Sequence, residues 1–146
     1  MKRMILTVVA GLLLFTTGCA QERVLNKVSE LPQTAQTLIS TYFSQDKISY
    51  IKVENEVLES KKYEIKFTSG TEIDFDKNGN WTEINCKKNA IPNNLIPAGI
   101  SSYVKGKYSQ NIITKIEKEA KGYSVELNND LDLVFDKKGN FLKIEH

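Results

Sequence analysis

The sequence is poor in the residues on which most catalysis depends. It holds one histidine, the terminal His146. A Ser-His-Asp or Cys-His hydrolase needs an imidazole held beside its nucleophile, and a chain end is a poor place to hold one. Zinc sites draw on several Cys and His ligands, and besides that histidine there are only Cys19 and Cys86. Two cysteines, one of them near the N-terminus, make no disulfide framework, so an ordinary hydrophobic core has to hold the fold. No glycine-rich phosphate loop occurs, and no cofactor is expected. A basic stripe is missing too. Lysines come in short pairs, Lys61-Lys62, Lys87-Lys88 and Lys137-Lys138, which read as solvated turn residues. Nucleic acid is held by clustered cations that displace phosphate counterions, so none is expected as a partner.

Long hydrophobic runs are also scarce. The longest, Met4 to Phe15, has 12 uncharged and mostly apolar residues, short of the roughly 20 that span a bilayer. Lys2 and Arg3 precede it, and Thr16, Thr17, Gly18 and Cys19 follow. That is the layout of a secretory signal peptide over residues 1–18. Phe15-Thr16-Thr17-Gly18-Cys19 resembles a bacterial lipobox, in which Cys19 becomes lipidated and N-terminal. The alternative is cleavage after Ala20, with Gly18 and Ala20 as the small residues. Lipidation is the reading taken, since two or three acyl chains anchor a protein stably. Losing Lys2 and Arg3 leaves 18 basic against 18 acidic residues, so the mature chain is near neutral.

After a polar stretch at 19–30, read as a tether, the sequence echoes itself. Tyr63-Glu-Ile-Lys-Phe67, Ile73-Asp-Phe-Asp-Lys-Asn-Gly-Asn-Trp81 and Ile84 are answered 60 residues on by Tyr123-Ser-Val-Glu-Leu127, Leu133-Val-Phe-Asp-Lys-Lys-Gly-Asn-Phe141 and Ile144. Upstream, Leu31-Pro32 is matched with Ile91-Pro92, and Ile39-Ser-Thr-Tyr42 with Ile100-Ser-Ser-Tyr103. Recurring identities at a recurring spacing are the mark of an internal repeat.

Each copy is expected to open with a helix. Ala35, Leu38, Ile39, Tyr42 and Phe43 share one helical face, as do Ile96, Ile100, Tyr103 and Val104. Pro32 and Pro97 suit a first turn. Strands are expected next: Tyr63, Ile65 and Phe67 alternate with Glu64 and Lys66, and Ile73 and Phe75 with Glu72 and Asp74, giving one buried and one wet face. Ser69-Gly70 and Asn128-Asn129-Asp130 read as turns, and Asp76 to Asn80 and Asp136 to Asn140 as glycine-containing hairpin loops. The expected fold class is α+β, with two tandem helix-plus-antiparallel-strand repeats at 31–88 and 89–146 in one compact domain. Their helices pack on one face of an antiparallel sheet.

These strands, with Tyr-x-Val/Ile-x-Leu/Phe followed by Phe-Asp-x-x-Gly-Asn-aromatic, resemble the PepSY-like family, also described as beta-lactamase-inhibitor-like. The marks are clearest at Tyr123-Ser-Val-Glu-Leu127 and Phe135-Asp-Lys-Lys-Gly-Asn140. The resemblance covers about residues 30 to 146. It implies an exported, non-enzymatic module of Gram-negative bacteria, Bacteroidetes especially, placed in the periplasm and here anchored as a lipoprotein. It carries over no catalytic residue, and fold likeness alone assigns no activity.

Two constellations remain. Asp74 with Asp76 and Asp130 with Asp132 are carboxylates two apart in strand-like sequence; acid–base work requires their pKa values to be split by unequal burial. The alternation puts Asp74 and Asp132 on the wet face, so both pairs read as solvated. Asp76, Asn78 and Asn80 have the spacing of the first three ligands of a calcium loop. However, the glycine comes early, no Glu closes the loop, and Lys138 replaces Asn78 in the second copy. A plain hairpin turn is the primary reading and calcium the alternative. The expected function is binding or inhibition of an envelope protein or peptide by the wet face bearing Glu64, Lys66, Glu72, Asp74, Glu126 and Asp132.

Overall fold

A computed structural model of the chain describes residues 21–55 and 62–145. The signal peptide, the lipidation residue Cys19 and His146 lie outside the described residues. Nine strands run in chain order: β1 (Gln21–Leu25), β2 (Ile48–Asn55), β3 (Lys62–Phe67), β4 (Glu72–Phe75), β5 (Trp81–Asn85), β6 (Ile113–Glu119), β7 (Gly122–Leu127), β8 (Asp132–Asp136) and β9 (Phe141–Glu145). Helix α1 (Gln33–Tyr42) lies between β1 and β2, and α2 (Ala98–Lys107) between β5 and β6.

The strands form one sheet in the order β1 to β9, each antiparallel to the next. This corrects the expected pair of helix-plus-strand repeats. The molecule is one large antiparallel sheet with two short helices. The join is the pairing of β5 with β6, where Glu83, Ile84 and Asn85 face Glu117, Ile116 and Lys115. It continues past the strand ends: the Cys86 N–H donates to the Thr114 carbonyl at 2.8 Å, and the Ile91 N–H to the Ile113 carbonyl at 3.0 Å. A strand edge left unpaired presents a row of unmet N–H and C=O groups. Joining β5 to β6 satisfies both edges, and the second half therefore extends the first. At the other end, residues 21–25, in the stretch read as a tether, form β1 against β2.

Alternation does what the sequence requires of it. Ile65, Phe67, Ile73, Phe75, Ile84, Ile116, Val125, Leu127, Leu133 and Phe135 are almost wholly buried and form one core with Ala35, Ile39, Ile100 and Val104 of the helices. Burying a side chain of this size stabilises by about 1.5–3 kcal/mol. Phe43, at the end of α1, stacks on Phe67 with ring centroids 5.6 Å apart. Both helices begin at proline, Pro32 and Pro97.

The helices correspond differently from the matching read in the sequence. The hairpin glycine Gly79 has φ +83°, and a Cβ there would meet the Ala35 nitrogen at 2.9 Å. Gly139 has φ +82°, and its Cβ would meet the Ile100 nitrogen at 3.4 Å. Ala35 therefore answers Ile100, and Leu31-Pro32 answers Ile96-Pro97, one helical turn from the sequence match. Short 3-10 turns at Val28–Glu30 and Asn93–Leu95 precede both helices and follow the same offset.

Candidate functional site: the open face of the sheet

With the helices on one face, the strands turn their intervening residues outward on the other. Register sets these in two rows. In one, Lys52 (β2), Glu64 (β3), Asp74 (β4), Glu83 (β5) and Glu117 (β6) stand side by side. In the other, Tyr50, Lys66, Glu72, Asn85, Lys115, Glu126 and Asp132 run from β2 to β8. The six residues read from the sequence all fall on this face. Glu64 is directly opposite Asp74, Lys66 opposite Glu72, and Glu126 opposite Asp132. Glu126 and Asp132 are separated from the rest by β5 and β6.

The rows differ in charge. In the second, Glu72 is clamped between Lys66 and Lys87, the latter at 2.9 Å. These two ammonium groups hold the Glu72 carboxyl below its ordinary value, and Glu72 holds Lys66 above its own. Lys115 reaches back to Glu83 at 3.2 Å and to Glu117 at 3.7 Å. The Tyr50 hydroxyl donates to Glu64 at 2.6 Å, which pushes the phenol up. The first row has four carboxylates in succession, with Asp74 second among them. Asp74 was expected to be solvated. It is half-buried, and burial, then the repulsion of Glu83, Glu64, Glu54 and Glu72, pushes its carboxyl up to about 6. Burial arises here because the stems of neighbouring long side chains shield a short residue in mid-sheet.

The sequence missed Lys52, Glu83, Asn85, Lys115 and Glu117. Glu83 and Glu117 lie in strands whose alternation is weakly marked, and only the β5–β6 pairing brings them to the row. The expected aspartate pairs do not form either. Asp76 and Asp130 belong to turns rather than strands, and Asp130 has φ 60°.

The two hairpins share one closure. Asp76 Oδ1 accepts the N–H groups of Asn78 and Asn80, both at 2.9 Å, and Oδ2 accepts the Asn80 amide at 3.1 Å. Asp136 does the same with Lys138, Asn140 and the Asn140 amide at 2.8, 2.9 and 2.9 Å. These donors hold both carboxyls below the ordinary range, against the effect of burial. Asp76, Asn78 and Asn80 thus form a self-closed aspartate turn. Among the described residues no group of three or more His, Cys, Asp or Glu is placed to hold a metal ion. Cys86 is a buried free thiol, pushed up by its burial.

A family model described as "Putative beta-lactamase-inhibitor-like, PepSY-like" matches residues 61–143. No curated protein matches the chain. Solved structures do, among them three crystal structures. A putative periplasmic protein of unknown function from Bacteroides vulgatus is 38% identical with a TM-score of 0.82, covering 86% of this chain and 100% of its own. A putative calcium-regulated periplasmic protein from Bacteroides thetaiotaomicron is 39% identical with a TM-score of 0.81, covering 86% and 97%. A second Bacteroides vulgatus protein, described as a putative periplasmic member of the DUF2874 family, is 37% identical with a TM-score of 0.82, covering 88% and 100%. With most of this chain aligned at such identity and more than half of it matched by the family model, the chain belongs to the PepSY-like, beta-lactamase-inhibitor-like family.

Proposed function

We propose that this chain is an exported, non-catalytic module of the periplasm, held to a membrane by lipid on Cys19, that binds or inhibits an envelope protein or peptide through the open face of its sheet. The observation that carries this reading is the pair of charged rows on the open face: one sets four carboxylates in succession after Lys52, and the other mixes cations and anions over seven strands from Tyr50 to Asp132. Mixed charges in fixed register suit a specific protein surface, since complementary patterns steer encounter and reject wrong partners. The family and the periplasmic descriptions of the relatives agree with that setting.

The test is photo-crosslinking in cells from Glu126 or Asp132 on the open face, with Ser40 on the exposed side of α1 as the contrast. One defined partner is expected from the first two positions. Reversing both Glu126 and Asp132 to Lys, which breaks none of the ion pairs above, is expected to slow association with that partner. A partner captured only from Ser40, or binding unaltered by the reversal at low salt, sinks the proposal.

Calcium is the second reading, favoured by the name of the Bacteroides thetaiotaomicron relative. Against it, an ion at Asp76 competes with the three hydrogen bonds that close the turn. A single-site ligand at 100 times its dissociation constant stabilises by about 2.7 kcal/mol. Millimolar calcium is expected to raise the melting temperature by much less than that implies. A large rise, lost in Asp76→Ala, replaces the first reading with the second.

A further inference from the structure

The two helix–hairpin junctions are built alike but filled differently. At the second, Tyr103 of α2 stacks on Phe141 with centroids 4.6 Å apart and planes 8° from parallel, and both rings stand edge-on to Phe135. At the first, Trp81 holds the place of Phe141. The offset that matches Ala35 with Ile100 matches Leu38 with Tyr103, so a leucine stands at the position of the stacking tyrosine, and Tyr42, one turn on, lines the same place. An open cleft of about 570 Å³ lies at this point, lined by Leu38, Thr37, Thr41, Tyr42, Trp81 and Lys118 among others. Its size is that of a small-molecule site.

The lining specifies an occupant. Lys118, from β6, sets its Nζ 3.7 Å from the centroid of the Trp81 ring. It makes no ion pair among the described residues. Withdrawal from water over the ring lowers its affinity for its proton, with Asp76 opposing. This ammonium has an aromatic contact and, among the described residues, feels the charge of Asp76 without forming an ion pair. The hydroxyls of Thr37 and Thr41 donate to the carbonyls of Gln33 and Thr37 at 3.0 and 2.7 Å. Each has spent its proton and keeps acceptor lone pairs.

We propose that the cleft between α1 and Trp81 binds a small aromatic carboxylate. Its ring stands where Tyr103 stands in the second junction, its carboxylate pairs with Lys118, and a ring hydroxyl or N–H donates to the α1 threonines. The site is separate from the open face, and its failure leaves the proposed protein-binding role untouched.

Trp81 is the only tryptophan, so its emission reports occupancy of the cleft. Titration of the mature protein with 4-hydroxyphenylacetate is expected to give a saturable change. Cresol, which lacks the carboxylate, is expected to bind about tenfold more weakly, and acetate not at all. Leu38→Tyr, which supplies the missing ring, is expected to abolish binding. Lys118→Gln is expected to reduce the acid to the affinity of cresol. No saturable change in the wild type overturns the proposal. So does equal affinity in a folded Leu38→Tyr, or in Lys118→Gln, which removes the ammonium without touching the core and decides the matter if Leu38→Tyr does not fold.

Discussion

Asp74 is the residue on the open face that the folded state treats worst. Its carboxyl titrates at about 6, against 3.8 for an ordinary aspartate. Below the lower value both folded and unfolded chains are protonated and there is no penalty. Between the two, the folded protein keeps a proton that the unfolded chain has lost, so stability falls as pH rises, and above about 6 the loss is complete. Asp74→Asn is therefore expected to stabilise by about 1–2 kcal/mol at about pH 8, after allowing for screening by water, with no gain at about pH 3. Urea unfolding at both pH values checks this, and a gain of equal size at both removes the electrostatic cause. The face on which Asp74 stands was legible from its alternation with Ile73 and Phe75. Its crowding was not, because Glu83 reaches its side only through strand register.

At the scale of elements, β5 and β9 show how similar sequence meets different surroundings. Ile84 and Ile144 follow the same hairpin at the same distance. Ile84 is wholly buried because β6 continues the sheet beyond it, whereas Ile144 on β9, the last strand, is 39% exposed. Ile84→Ala is expected to destabilise by about 2–5 kcal/mol and Ile144→Ala by under about 1 kcal/mol. Chemical denaturation of the two variants compares them, and equal losses contradict the edge assignment. The helices carry a related lesson. An apolar stripe repeats nearly every turn, so the identities of Ile39-Ser-Thr-Tyr42 and Ile100-Ser-Ser-Tyr103 match one turn away from the structural register, in which Ile39 answers Val104. The contacts of Gly79 and Gly139 and the preceding 3-10 turns show that Ala35 and Ile100 are equivalent.

At the scale of the whole molecule, the continuous sheet predicts one cooperative unfolding. Trp81 emission reports β5 and far-ultraviolet circular dichroism the entire backbone; their transitions are expected to coincide. Two separated transitions would mean that the β5–β6 join is weaker than the halves it links. What the sequence by itself determined is the local part: strands by alternation, turns by their Asp, Asn and Gly, and helix starts by Pro32 and Pro97. Each depends on residues within a turn or a hairpin of one another. The tertiary structure alone decided that two helix-bearing halves make a single nine-stranded sheet, that four carboxylates line up across it, and that Leu38 leaves open beside Trp81 what Tyr103 closes beside Phe141. The physical reason is distance along the chain. Residues 83–85 meet 115–117 only after α2 and its flanking loops have folded back on the core, and contacts between segments so far apart leave no periodic trace in either one.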